Sequence, residues 1–360
     1  MQNENQTREL TYAQALREAM QQSMENDPKV ILIGEGVPDV KSIFGTTEGL
    51  MEKFGNKRVF DMPLSENGLT GICIGAAISG MRPIMVHQRI DFTLLAMDQL
   101  INNAAKWHYL FNGQKSVPLV VRMIVGRGWG QGAQHSQSLQ ALFAHIPGLK
   151  VVMPSMPYDA KGMLISAIED NNPVVFIEHR WLFHIKGHVP EDPYRVPLDK
   201  SKTIREGKHV TIAAISYMVI EALHVADYLK KYGIHVTVIS VHALNPLDVE
   251  PVLKSVQKTG YLVVLDTACK AFGVSAEIIS QVVEHACGVL NKPPLRIASP
   301  DHPVPTTKYL ANEYYPEADL VAVEIVKLLG LEQTVDLATV EKELRRPEPR
   351  DLPDMGLMPF

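Results

Sequence analysis

The sequence predicts an α/β protein of two domains, each a mostly parallel sheet flanked by helices. Three observations carry this. Uninterrupted apolar runs recur along the chain, and such runs suit parallel strands covered on both faces. Segments with helical spacing alternate with them. The alternation lapses once, past the middle, and then resumes.

Thr11 and Gln14 stand at capping-box spacing before Leu16, Ala19, Met20 and Met24, which recur at helical period. VILI (30–33) follows as a buried strand ending in Gly34-Glu35-Gly36. Further strands are expected at 82–87, in PLVVRMIV (118–125), in KVVMP (150–154) and in PVVFIE (173–178), with helices over 93–106 and 157–169. Residues 180–207 carry prolines and charges and read as a linker over the surface. The second series runs VTIAAI (210–215), a helix over 218–231, HVTVISV (235–241), a helix over 248–258, YLVVL (261–265), a helix over 273–288 and PLRIA (294–298). Domains are therefore expected over 1–195 and 208–335, joined by a linker at 196–207. The proline- and charge-rich tail, 336–360, is expected on the surface or mobile.

Composition narrows the function. With 46% hydrophobic and 21% charged residues, the 360-residue chain can build two ordinary cores. A net charge of −5 without any Lys/Arg block argues against nucleic acid as a partner. No apolar run reaches the roughly eighteen residues that span a bilayer, so no membrane partner is expected. The start, MQNENQTREL, has neither a signal core nor a transit-peptide bias, which points to the cytoplasm. Cys73, Cys269 and Cys287 are far apart and read as reduced thiols. Phosphate-loop, dinucleotide, zinc-ligand and serine-elbow motifs are all missing, which disfavours a self-sufficient nucleotide, zinc or serine enzyme.

Open α/β sheets bind ligands beyond the carboxyl ends of their strands. Glu35, Glu66 and the loop GRGWGQGAQHSQ (126–137) all follow apolar strands. In FDMPLSENGLTGICIGAAISG (60–80), Glu66 stands between a short apolar run and a small-residue helix. A buried carboxylate there is costly unless its charge is used. Locally it reads equally as an acid at a helix N-terminus. His135, in QHSQ, is of the residue type best suited to proton transfer in such a loop, although a loop histidine bonded to backbone fits the same string. Phe92, in RIDF, reads as a core aromatic or a stacking surface, and Glu35 as an acid at a strand end.

PLSENGLTGICIGAAISGMRPI, DFTLLAMDQLINNAAK, GAQHSQSLQALFAHIPGLKVVMPS, DAKGMLISAIEDNNPVVFIEH and PLDVEPVLKSVQKTGYLVVLD occur in that order between about residues 8 and 330. Together they resemble the β subunits of thiamine-diphosphate-dependent 2-oxo acid dehydrogenases of the pyruvate, branched-chain and acetoin types, within the transketolase superfamily. The resemblance implies a pyrimidine-binding domain followed by a transketolase C-terminal-like domain. It implies that Glu66 is catalytic and bonds the aminopyrimidine nitrogen opposite the exocyclic amino group, so that the amino group can take the thiazolium proton. It likewise implies that His135 faces the thiazolium and substrate and that Phe92 packs on the aminopyrimidine. Glu35 then belongs with the cofactor site, in an acidic water-lined tunnel. LISAIEDNNPVVF resembles a potassium loop, with Leu119, Ala167, Ile168, Asp170 and Asn172 as ligands. Magnesium and diphosphate are held in such enzymes by a GDG…N motif on an α subunit, and that motif is missing here. The resemblance thus implies an α2β2 heterotetramer with thiamine diphosphate shared between chains, a 2-oxo acid substrate and a lipoyl acyltransferase core as acyl acceptor.

Some positions depart from the pattern. Val86 and His87 stand where many relatives have a glutamate and then an apolar or aromatic residue, and LDTACKAFGVSAEI, with Asp266, is also unusual. Arg89 and Arg127 add positive charge, which fits surface ion pairs or a substrate carboxylate. These departures leave open a transketolase-like acyloin enzyme that joins or cleaves carbon–carbon bonds on the same cofactor without a lipoyl partner. A non-catalytic assembly subunit is the third reading.

Overall fold

In the computed structural model, which describes residues 8–39, 42–126 and 130–347, the chain forms two compact units. Among the described residues the first takes 8–126 and 142–198, and the second takes 130–141 and 199–347. The His135 loop therefore belongs with the second unit, although it precedes residue 195.

Six strands of the first unit lie in the order Lys150–Val152, Val174–His179, Val120–Val125, Arg82–His87, Val30–Gly34, Val59–Phe60, every neighbouring pair parallel. Each residue of Val120–Val125 and Val174–His179 is buried, as unbroken apolar runs dictate for inner parallel strands. Helix Tyr12–Asn26 opens with both halves of the capping box: Gln14 N donates to Thr11 Oγ1 at 3.2 Å and Thr11 N donates to Gln14 Oε1 at 2.9 Å. It buries Leu16, Ala19, Met20 and Met24 and packs against helix Pro157–Glu169, whose proline sits in the first turn, where its missing N–H costs nothing.

The expected helix over 93–106 is in fact a series of short pieces: α at Ile90–Thr93, 3-10 at Leu94–Ala96, π at Gln99–Ala104 and α again at Ala105–Leu110. The π turn lies against helix Glu66–Ile78, where a Cβ on Gly71 would come within 3.4 Å of Gln99 Oε1. Widened turns of this kind do not alter the apolar spacing enough to be read from sequence.

Residues 180–207 are more than a linker. Lys186–Val189 pairs antiparallel with Arg8–Thr11, and Lys202–Arg205 is an edge strand of the second sheet. The buried Lys161 ammonium pins the segment between them. It donates to the carbonyls of Pro190, Glu191 and Asp192 at 2.7, 2.9 and 3.2 Å and to Glu18 at 3.0 Å. Short polar strands carry no hydrophobic period, which is why the sequence hides them.

The second sheet runs Leu295–Ser299, Leu262–Cys269, Val210–Ala214, Val236–Ser240, Lys202–Arg205, parallel except for that last edge strand. Helices Met218–Leu229 and Ala318–Leu329 share one core with it. The first part of the tail joins this unit. Asp336 caps helix Leu337–Leu344, Val340 is buried in the same core, and Arg346 pairs with Glu221. The rest of the tail, from 348, lies outside the described residues. Among the described residues no helix is long and apolar enough to cross a membrane.

Candidate functional site

Adjacent strands of the first sheet deliver polar groups to one edge. Val30–Gly34 ends at Glu35, and Arg82–His87 runs out into Gln88, Arg89 and the short helix carrying Phe92. Val59–Phe60 leads through Asp61 and Met62 to Glu66, the first residue of helix Glu66–Ile78. Glu35, Met62, Glu66, Val86, His87, Gln88 and Phe92 line one narrow pocket. Three residues singled out from the sequence, Glu35, Glu66 and Phe92, thus meet in space.

The local backbone requires glycine twice. Gly34 lies opposite Val86, and a Cβ there would come within 2.5 Å of the Val86 carbonyl oxygen. Gly36 has φ +68°, and its amide donates to Asp61 Oδ1 at 2.9 Å. Gln88 Nε2 donates to the Glu35 carbonyl at 3.0 Å, fixing the turn from the other side.

Glu66 is 7% exposed and follows Ser65, which caps the helix without a side-chain bond. The carboxyl group is not the cap, although its place in the first turn suits a negative charge. Glu35 is held above the usual carboxylate range, first by burial and then by the charges of Glu66 and Asp61. Burial pushes the His87 imidazole down to about 4, so the ring is neutral at pH 7. Glu35 Oε1 and His87 Nε2 are buried and meet no hydrogen-bond partner among the described residues. Each such orphan costs about 1–3 kcal/mol, which a polar ligand in the pocket would relieve.

His135 ends the 3-10 turn Gly132–Gln134 in the second unit and is half-buried. Its glycine-rich approach packs on Thr306. A Cβ on Gly132, at φ +65°, would sit 2.3 Å from Thr306 Oγ1. Asp266 steadies the same segment: Gln140 Nε2 donates to its Oδ1 at 2.7 Å, with Ala268 N at 3.1 Å, and Ser275 N donates to Oδ2 at 3.2 Å. Arg127 lies outside the described residues.

Leu119, Ala167, Ile168, Asp170 and Asn172 gather at the opposite, amino edge of the first sheet, around the turn after helix Pro157–Glu169. Two cations already serve that turn. Arg82 Nη1 donates to the carbonyls of Ile168 and Asp170 at 3.0 Å each, and Lys150 pairs with the Asp170 carboxylate. The Leu119 carbonyl accepts from Val174 N at 2.9 Å. Among the described residues no group of three or more His, Cys, Asp or Glu is placed to hold a metal.

Sequence reasoning passed over Met62 and Gln88 and met His87 only as an oddity. The available signal was position: His87 and Gln88 stand at or just beyond the end of an apolar strand.

Comparison with known proteins gives a consistent picture. Residues 8–185 match the transketolase pyrimidine-binding domain and residues 199–321 the transketolase C-terminal domain. The chain is 42% identical over 332 residues to the acetoin:2,6-dichlorophenolindophenol oxidoreductase subunit beta of Cupriavidus necator, covering 89% of this chain and 98% of that one. It is 39% identical over 328 residues to the mitochondrial pyruvate dehydrogenase E1 component subunit beta of Bos taurus, covering 90% and 91%. Among solved structures, a split-gene transketolase described as an inactive beta4 tetramer superposes with a TM-score of 0.71 at 22% identity, covering 89% of this chain and 99% of that one. That last likeness is one of fold alone.

Proposed function

This chain belongs to the transketolase-like β subunits of the 2-oxo acid dehydrogenases, and we propose that it forms the aminopyrimidine side of a thiamine diphosphate site shared with an α subunit. The meeting of Glu66, Glu35 and Phe92 in one pocket at the carboxyl edge of a parallel sheet carries the reading. The residues present fit the group: a carboxylate for the ring nitrogen, an aromatic face for stacking, and two buried polar atoms without a hydrogen-bond partner among the described residues.

Thiamine diphosphate, when bound, supplies the electron sink for decarboxylating a 2-oxo acid. Glu66 holds or releases a proton at the aminopyrimidine nitrogen, a task that its dry position at a helix N-terminus suits. Glu35, whose carboxyl is held above the ordinary range by burial and then by the charges of Glu66 and Asp61, lies beside it in the same pocket. Phe92 orients the ring. His87, neutral, offers a donor or acceptor without adding charge. His135 is assigned to the substrate side as a proton donor. Magnesium and diphosphate are assigned to the α subunit of an α2β2 assembly, and the acyl group to a lipoyl acyltransferase. The free Cys73, Cys269 and Cys287 support a reducing, cytoplasmic setting, which cell fractionation would check.

The test is reconstitution with a candidate α subunit that carries the GDG…N motif. Thiamine diphosphate should bind only to the assembled pair, and a 2-oxo acid should yield acyl-lipoamide. Product with an aldehyde acceptor, and none with lipoamide, would instead mark the acyloin reaction. Failure of the pair to bind the cofactor would end both readings.

The 167–172 turn is assigned a potassium ion, since the Ile168 and Asp170 carbonyls each keep a second lone pair beside their Arg82 bonds. The assembly is expected to melt several degrees higher in potassium than in tetramethylammonium chloride at equal ionic strength. Equal melting would leave Arg82 and Lys150 as the turn's only cations.

A further inference from the structure

His135 lies in a stretch without regular structure. After the 3-10 turn Gly132–Gln134, residues 135–139 form neither helix nor strand, and the next element is the short helix Gln140–Ala144. Both ends of the stretch are tied to the second sheet. Gly130 and Gly132, at φ +66° and +65°, turn tightly against Thr306, which follows strand Leu295–Ser299. Gln140, fully buried, donates from Nε2 to Asp266 Oδ1 at 2.7 Å and to Thr267 Oγ1 at 3.2 Å. Asp266 and Thr267 belong to Leu262–Cys269, the strand that pairs with Leu295–Ser299. The two anchors thus rise from the carboxyl ends of neighbouring parallel strands, the edge at which such sheets bind ligands.

An acid is an odd choice for position 266. It follows the buried run Leu262–Leu265 and is itself 0% exposed. Pairing with the neighbouring strand slips between Leu265 and Cys269, so the irregularity falls on this residue. Bulged strand ends re-aim side chains and recur beside active sites. Burial holds the Asp266 carboxyl above the ordinary range, against the bonds from Ala268 N, Gln140 and Ser275 N. A carboxylate kept dry in this way makes charge-assisted bonds, about twice as strong as neutral ones. Gln140 depends on that bond. Among the described residues its Oε1 meets no hydrogen-bond partner, so the amide is held through its donor side.

We propose that Asp266 is a positioning residue for His135. Through Gln140 it fixes the far end of the loop and so sets where the imidazole stands relative to the reacting molecule. The inference rests on the proposed function, which assigns His135 to the substrate side, and adds the residue that aims it.

The experiment uses the reconstituted, cofactor-loaded assembly, the 2-oxo acid that it turns over, and the variants His135→Gln, Gln140→Leu and their combination. Gln140→Leu removes the bond and keeps the volume. It should lower kcat by about ten- to hundredfold, as a misplacement on the ångström scale does. Cofactor affinity, and exchange of the thiazolium proton with solvent deuterium, which Glu66 governs, should stay within about twofold. In the chain without cofactor, amide hydrogen exchange should quicken over 131–139 and not in helix Glu66–Ile78. Asp266→Asn, which keeps an acceptor but not the charge, should show the same split with a smaller loss. Placed on top of His135→Gln, Gln140→Leu should slow turnover no further, because it acts through the imidazole. A further loss in the combined variant, or a parallel fall in cofactor affinity and proton exchange, would mark a structural prop and overturn the proposal. Slow His135→Gln beside Gln140→Leu at full turnover overturns it too and leaves the reading of His135 standing. Full turnover in His135→Gln removes that reading and the proposal together. Should Gln140→Leu fail to assemble, Gln140→Asn, which keeps the amide but shortens its reach, is judged by the same outcomes.

Discussion

Glu66→Gln is expected to lower turnover of the reconstituted enzyme by about 10²–10⁴-fold, the usual range for losing a positioned proton-transfer group. Glutamine fills the same volume at the start of helix Glu66–Ile78, and the Ser65 cap makes no side-chain bond that could be lost. Folding and assembly should therefore survive, which size-exclusion chromatography would verify. The substitution also removes one of the charges that raise Glu35, whose carboxyl should fall toward the ordinary range. The sign follows from linkage. An acid raised in the folded state stabilises the fold while protonated, and that contribution fades as pH rises through the folded value. Melting temperature should thus carry a contribution from Glu35 that is lost as pH rises, and in Glu66→Gln that loss should occur at lower pH. Full turnover in that variant would remove Glu66 from the chemistry and leave the chain an assembly subunit.

Much of this site was legible because strand ends are legible. VILI running into Gly34-Glu35-Gly36 marks an edge, and Glu66 at the head of a small-residue helix marks another. The capping box at Thr11 and Gln14 formed as its spacing dictates. What stayed hidden depends on sheet order. The assignment of 130–141 to the second unit rests on Gly132 against Thr306 and Gln140 on Asp266, contacts that span more than a hundred residues and leave no local pattern. The helix Leu337–Leu344 was masked by its charged neighbours, although Asp336 is an ordinary capping residue.

The largest effect on stability is expected far from the pocket mouth, at Glu178. Arg122 and Glu178 sit on adjacent inner strands, 1% and 0% exposed, joined by two bonds of 2.6 and 2.8 Å. Both lie inside runs that the sequence presents as simply apolar. Such a pair gains little over a well-packed apolar pair, because attraction only offsets desolvation. Removing one member is different: Glu178→Ala leaves a buried guanidinium without its carboxylate, its Nη1 still donating to the Met20 thioether at 3.2 Å. The cost should be about 3–5 kcal/mol, read as a large drop in melting temperature of the assembly. Glu178→Gln, which keeps an acceptor but not the charge, should fall between. The double variant Arg122→Met, Glu178→Leu should recover most of the loss, since it removes the stranded charge and refills the volume. A double variant no more stable than Glu178→Ala would mean that the pair's geometry, rather than the uncompensated charge, holds these two strands in register.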